Sequence, residues 1–439
     1  MSAMYQVLLP AVMFALVVFV NSKIAITLMV LFVYLITDWF SVYFSILPRS
    51  FTWVSDIIIL LLLTKLIVLS VFERKKLQST PIDLLVLLFF FAAITSMIIN
   101  NIPPIIALVT GFRKAFISFI LFYVVVNLDF HENFYKKIIN FLIVIALLQV
   151  PITLLQTFVW FPGQSVDYRG GTLGVNATGA TALWVSGIIS IIIAFSLNNP
   201  KMKWQKFFVT ILLIPTFIGR ALAVLYFLPT TLLFLLSHGA SKKLGKYLMT
   251  GCAILILLGA ADYVNESVFG DKLGFERLYL TPNYAVDYES VAAEGGSYMG
   301  RLQIINYTNQ LLAQKTSLFL GLGPGAGGHS EWRGLQGTQY TEFTDFARTQ
   351  LSRTLIEFGF FGLLVNFLII YQVYRMNKKF FVKIDDIYWK SVSHGFFGII
   401  FLFTAATVYA NIWYSTPIAF SFWFIAGAIF NVGKNRGIL

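Results

Sequence analysis

The sequence has one cysteine, four histidines and few charges, and each shortage excludes a class of protein. Cys252 lies in an apolar run with no second cysteine to pair with, so a disulfide scaffold is excluded. No grouping of His, Cys and Asp has metal-ligand spacing, and no Asp-x-Asp pair stands in an outward loop. The expectation is therefore chemistry without a metal or other cofactor. Charged residues form only 12% of the chain, too few for a soluble domain of ordinary composition. The short alternating segments of an outer-membrane barrel are missing, as are internal repeats and low-complexity tracts. The first apolar run lacks a basic flank and a small-residue cleavage site, so the first helix is expected to stay uncleaved.

Apolar side chains are abundant, at 58% of 439 residues. A helix crossing the hydrocarbon core needs roughly 20 mostly apolar residues, so this content suffices for about a dozen spans. The expected fold class is all-α, a polytopic integral membrane protein with about 12–14 transmembrane helices. Uninterrupted apolar stretches place spans near 5–20, 24–46, 52–72, 82–99, 105–126 and 138–160. Others follow near 180–196, 204–218, 221–237, 246–260, 355–374, 392–410 and 416–431. The count of thirteen is open by one either way, because the stretch 24–46 is long and carries Asp38.

The net charge of +12 invites a nucleic-acid partner, but the cations follow the membrane topology instead. Alternate loops collect 19 of the 32 Lys and Arg, among them Arg74, Lys75, Lys76, Lys136, Lys137, Lys378, Lys379, Lys434 and Arg436. Basic residues mark cytoplasmic loops, so the C-terminus is expected inside and, with thirteen spans, the N-terminus outside. The chain then divides into helices over 1–261, one large outer loop over 262–354 and helices over 355–439. That loop has 93 residues and 10 of the 20 acidic residues, and long loops cross largely regardless of charge.

Arginines on the outer side are the most informative residues, because a guanidinium near membrane depth is costly and is usually kept for a partner. Arg220, in "IPTFIGRALAVL", separates two spans with almost no loop between them. Arg113 interrupts a span in "GFRKAF", Arg169 stands in "DYRGGTLGVNATG", and Arg301 in "GSYMGRLQIINY". A lone arginine of this kind is commonly a snorkelling anchor, whereas several on one face suit the oxygens of a diphosphate. The stretch "LFLGLGPGAGGHSEWRG" has six glycines between Gly321 and Gly334, and reads equally as an anion-cradling backbone or a flexible loop. It lacks the Lys and Ser/Thr of a P-loop. Candidate acids and bases in the large loop are His329, Glu331, Glu342 and Asp345. Its Tyr279, Tyr284, Tyr288, Tyr298, Trp332 and Tyr340 offer aromatic faces to sugars or anchor the loop at the interface.

Taken in order, these segments resemble the O-antigen polymerase and O-antigen ligase superfamily of bacterial inner-membrane proteins. "RGGTLGVNATGATAL" resembles its outer stretch of Arg, Gly-rich segment and Asn. "IGRALAVL" resembles its Ser-Arg-small segment, with Gly219 where Ser is usual. "GRLQIINYTNQLLAQKTSLFLGLGPGAG" resembles the stretch that runs from Gly-Arg to Gly-x-Gly-Pro-Gly, and "RTQLSRTLIEFGFFG" the segment that opens with a histidine in ligases. Here Arg348 stands in the histidine's place, Thr349 follows, and Gly359 and Gly362 complete the pattern. Since the resemblance assigns that histidine to ligation, Arg348 favours the polymerase branch. The likeness covers roughly residues 105 to 375.

The resemblance implies a metal-independent glycosyltransferase with its active site at the periplasmic face. Its donor would be an oligosaccharide on undecaprenyl diphosphate, and its acceptor the terminal sugar hydroxyl of another lipid-linked unit. Arg113, Arg169, Arg220, Arg301 and Arg348 would bind the diphosphate, and His329, with Asp345 or Glu342 in reserve, would serve as base. A chain-length regulator and a flippase are the implied protein partners, and no nucleic acid is. The competing readings are a ligase that transfers the glycan to lipid A core or protein, and a transporter or flippase of lipid-linked sugars. The transporter is disfavoured because no inverted repeat is visible and a large outer loop is superfluous to it.

Overall fold

The computed structural model describes residues 19–37, 53–164, 166–174, 177–199, 204–219, 222–239, 301–330, 335–337 and 349–439. Helix α1 (Ser22–Leu31) continues through a π turn, Phe32–Ile36. It is followed by α2 (Val54–Phe72), α3 (Asp83–Ile99), α4 (Pro104–Asn127), α5 (Glu132–Trp160) and α6 (Thr178–Asn198). Then come α7 (Trp204–Ile218), α8 (Leu222–Gly239) and α9 (Arg301–Gln314). A small antiparallel hairpin, β1 (His329–Ser330) with β2 (Leu335–Gln336), precedes α10 (Gln350–Lys383), α11 (Ile387–Ala406) and α12 (Thr416–Asn435).

Among the described residues, six helices (α2, α4, α5, α6, α10 and α12) are long and apolar enough to cross a membrane. The fold is that of an all-α polytopic membrane protein, with shorter apolar helices beside these six. Eleven of the thirteen expected spans coincide with described helices, the one expected over 24–46 being described to residue 37. The stretches 5–20 and 246–260 lie essentially outside the described residues.

The interior is built by α6 against α11 and α7, α12 against α4, α8 against α11, and α3 against α10. Its largest side chains are fully buried and keep their polar tips satisfied, as buried Trp and Tyr require. Trp184 Nε1 donates to Ser421 Oγ at 2.7 Å, and the Tyr34 hydroxyl bonds Ser421 and the Pro417 carbonyl. One end of the bundle is held by ion pairs between separate turns. Arg436 meets Glu132 at 2.7 Å, Lys136 meets Glu132 at 3.0 Å and Asp386 at 3.5 Å, and Lys75 meets Asp129 at 2.5 Å. These cations belong to the loops expected to be cytoplasmic. Lys65 extends from α2 to the Val20 carbonyl at 3.1 Å. It thereby keeps its ammonium near the start of α1.

The opposite end carries a break in a long helix. Helix α10 breaks at Gly359, whose φ of 63° and ψ of −165° fall in a region essentially restricted to glycine. The segment 318–323 runs alongside the break and takes over its hydrogen bonds. The Leu322 N–H donates to the Ile356 carbonyl at 2.8 Å and the Gly323 N–H to that of Glu357 at 3.0 Å. In return, the Phe360 and Phe361 N–H groups donate to the Leu318 and Phe319 carbonyls, both at 3.0 Å. Two N–H groups and two carbonyls at the break are satisfied in this way, where each left to the apolar surroundings would cost several kcal/mol.

Candidate functional site

At this end of the molecule the sequence places its five arginines, and the described residues separate two of them. Arg113 sits in α4 directly after a π turn, Ala107–Phe112, and forms an ion pair with Asp56 of α2 at 2.5 Å. Its guanidinium lies 4.1 Å from the centre of the Trp53 ring and its Nε donates to the Val109 carbonyl at 3.3 Å. The side chains of Arg113 and Asp56 are 14% and 8% exposed, so the charge is neutralised inside the protein. Arg113 is thus held as an internal partner of Asp56, contrary to the expectation that it faces a diphosphate. The reason is a carboxylate far away in sequence that burial leaves needing a cation.

Arg169 is placed differently. It ends a short 3₁₀ turn, Val166–Arg169, and donates to the Ile218 carbonyl at 3.3 Å and to the Gln164 carbonyl at 3.4 Å. Ile218 closes α7 and precedes Arg220 by two residues, so segments from distant parts of the chain meet here. The backbone that follows Arg169 is clamped by two buried glutamines of α5. Gln149 donates to Thr172 Oγ1 at 2.7 Å and accepts from the Thr172 N–H at 2.8 Å. Gln156 donates to the Gly171 carbonyl and accepts from the Gly171 N–H, both at 2.8 Å. Thr181 donates to the Gly170 carbonyl at 2.7 Å. Five hydrogen bonds therefore fix this segment.

Arg301 opens α9 and His329 opens β1, and their side chains lie outside the described residues. So do Arg220, Glu331, Glu342, Asp345 and Arg348.

The glycine-rich run is neither an open anion cradle nor a loose loop. Residues 321–328 are buried, and the N–H groups of Gly321, Leu322, Gly323, Ala326 and Gly328 are all bonded to backbone carbonyls. Gly325 lies against Gly111 of α4 so closely that a Cβ on Gly111 would overlap its backbone. The anion next to this run is the protein's own. Glu357, wholly buried in α10, accepts from the Gly325 N–H, from Arg353 Nε at 3.2 Å and from the Tyr414 hydroxyl at 2.7 Å. Arg353 also donates to the Thr110 carbonyl at 3.2 Å, and its guanidinium stacks 3.8 Å from the centre of the Tyr414 ring. Burial, with the Glu357 carboxylate beside it, pushes the Tyr414 phenol well above its ordinary range, so it stays a donor.

Sequence reasoning missed this network and the two glutamines. A signal for the network was present: Arg353 and Glu357 are four apart, hence on one face of a helix, in an otherwise apolar stretch. Asp56, the single acid in the apolar run 52–72, was the matching signal for Arg113.

Chemically, the network braces α4, α10, the glycine run and the turn before α12, with its charges mutually satisfied. The cavity beside Asp56, lined in part by Ser55, Lys114 and Tyr414, has about 30 Å³, room for water and too little for a sugar. Among the described residues no three His, Cys, Asp or Glu side chains form a group that could hold a metal. Compared with models of known protein families and with curated proteins, the chain matches none.

Proposed function

We propose that this protein is a metal-independent glycosyltransferase that polymerises lipid-linked oligosaccharide repeat units at the periplasmic face of a bacterial inner membrane. The observation that carries the reading is Arg169, held by a preorganised segment against the end of α7, two residues before Arg220. The ion-paired end of the bundle collects the loop lysines and is taken as cytoplasmic. The Arg169 end then faces the periplasm. There the growing glycan on undecaprenyl diphosphate is the donor and the terminal sugar hydroxyl of another lipid-linked unit the acceptor. The diphosphate leaves as the glycosidic bond forms, and guanidinium groups fixed in advance stabilise the charge that develops on its oxygens. Arg301 and Arg348 are further candidates for that role, while His329, or Asp345 or Glu342, is the candidate to take the acceptor's proton. Arg348, where the ligase pattern has histidine, favours polymerisation over transfer to lipid A core.

The biochemical test is reconstitution of the purified protein in liposomes with undecaprenyl-diphosphate-linked repeat units, a chelator and no nucleotide. The expected product is a ladder of longer lipid-linked glycans. Unchanged single units, under conditions in which the protein is shown to be folded and correctly inserted, would refute the proposal.

A further inference from the structure

At the ion-paired end, well away from Arg169, a groove of about 640 Å³ opens between the starts of α1 and α5. It is lined by Lys23, His131, Glu132, Asn133, Phe134 and Lys137. Its charges do not cancel. Glu132 is the single acid on the wall, and it is taken by Arg436 at 2.7 Å and Lys136 at 3.0 Å. Those two cations are completed by Asp386, at 3.5 Å from each, so the four groups form a neutral set. Lys23 and Lys137 remain, both exposed and neither with an ion-pair partner among the described residues. The first turn of α5 adds N–H groups that no side chain caps, with His131 at the N-cap position.

The surface beside the groove is apolar. Val20 and Ile24 flank Lys23 and are 77% and 44% exposed. Phe134 stacks on Phe130 at 4.9 Å on the α5 side. A ligand that fits must bring negative charge to two ammonium groups and apolar chains to the surface beside them.

We propose that this groove binds the headgroup of an anionic phospholipid, with the phosphodiester between Lys23 and Lys137 and the acyl chains along α1. A zwitterionic lipid fits less well, since its own cation competes with the lysines. The assignment is independent of the proposed catalytic function, because none of these residues belongs to the arginine site.

The test is native mass spectrometry of the full-length protein released from vesicles of equal phosphatidylglycerol and phosphatidylcholine. The wild type is expected to retain phosphatidylglycerol selectively. The Lys23→Gln, Lys137→Gln double variant should lose that preference by about thirtyfold, the contribution expected of two lysines at an anionic surface. The Lys378→Gln, Lys379→Gln variant removes the same charge from exposed positions elsewhere on α10 and should keep the preference. Equal retention of both lipids by the wild type, or equal loss in both variants, would overturn the site. So would displacement of the lipid by millimolar inorganic phosphate, which would show that the acyl chains contribute nothing.

Discussion

Replacing Glu357 by alanine is expected to destabilise the protein by about 3–5 kcal/mol, read as a large fall in the unfolding midpoint in detergent. The effect arises from what the substitution leaves behind. Arg353 is 6% exposed and, among the described residues, would keep the Thr110 carbonyl and the Tyr414 ring as partners. A buried cation without a counter-charge is far costlier than an intact pair, whereas removing both charges together is often neutral. The Arg353→Met, Glu357→Leu double variant should therefore recover most of the loss. Glu357→Gln, which keeps an acceptor for Tyr414, should fall between wild type and Glu357→Ala. A Glu357→Ala protein that unfolds at the wild-type temperature would contradict the assignment of this network as the brace of the glycine run.

The arginines are expected to divide into two groups. Arg169→Ala and Arg220→Ala should each lower the rate of chain elongation by at least about 10²-fold, the usual consequence of losing one preorganised charge-stabilising group. Their unfolding midpoints should stay close to wild type. Arg113→Ala should do the reverse, because it removes the ion-pair partner of Asp56, which is buried at 6% exposure. Its yield and unfolding temperature should fall while activity per folded molecule is retained. Rates normalised to folded protein, measured beside thermal unfolding, check both halves. Full activity in Arg220→Ala would remove the arginine pair from the mechanism.

Most of the helical framework was legible in the sequence, for a physical reason. The length of an apolar run and the charges that bound it set where a helix can lie in a bilayer. The stretches 82–99, 180–196 and 416–431 are accordingly found as Asp83–Ile99, Thr178–Asn198 and Thr416–Asn435. Helix α5 begins at Glu132 rather than 138 because its first turns carry Lys136 and Lys137 and extend beyond the apolar run. Helix α10 differs more. The expected 355–374 is part of a longer helix broken at Gly359, and the break is stable because the distant segment 318–323 supplies its hydrogen bonds.

The same limit governs the candidate site. The composition of the glycine run allowed an anion cradle or a loose loop, and tertiary packing on Gly111 and Glu357 made it a buried wall instead. Arg113 and Arg169 look alike as outward arginines in apolar surroundings. They differ because Asp56 pairs with the first, whereas the second bonds the carbonyl of Ile218 at the end of α7 and that of nearby Gln164. Pairings of this kind join residues tens of positions apart, and no local pattern encodes them.

The central claim, polymerisation of lipid-linked repeat units, is tested most directly by the gel profile of surface and lipid-linked glycan from a strain lacking this protein. Wild-type and Arg220→Ala copies are then returned to that strain. The account predicts a product with a single repeat unit in the deletion strain, a full ladder with the wild type and no ladder with Arg220→Ala. Bare lipid A core with long chains accumulating on the lipid carrier would contradict it and identify a ligase.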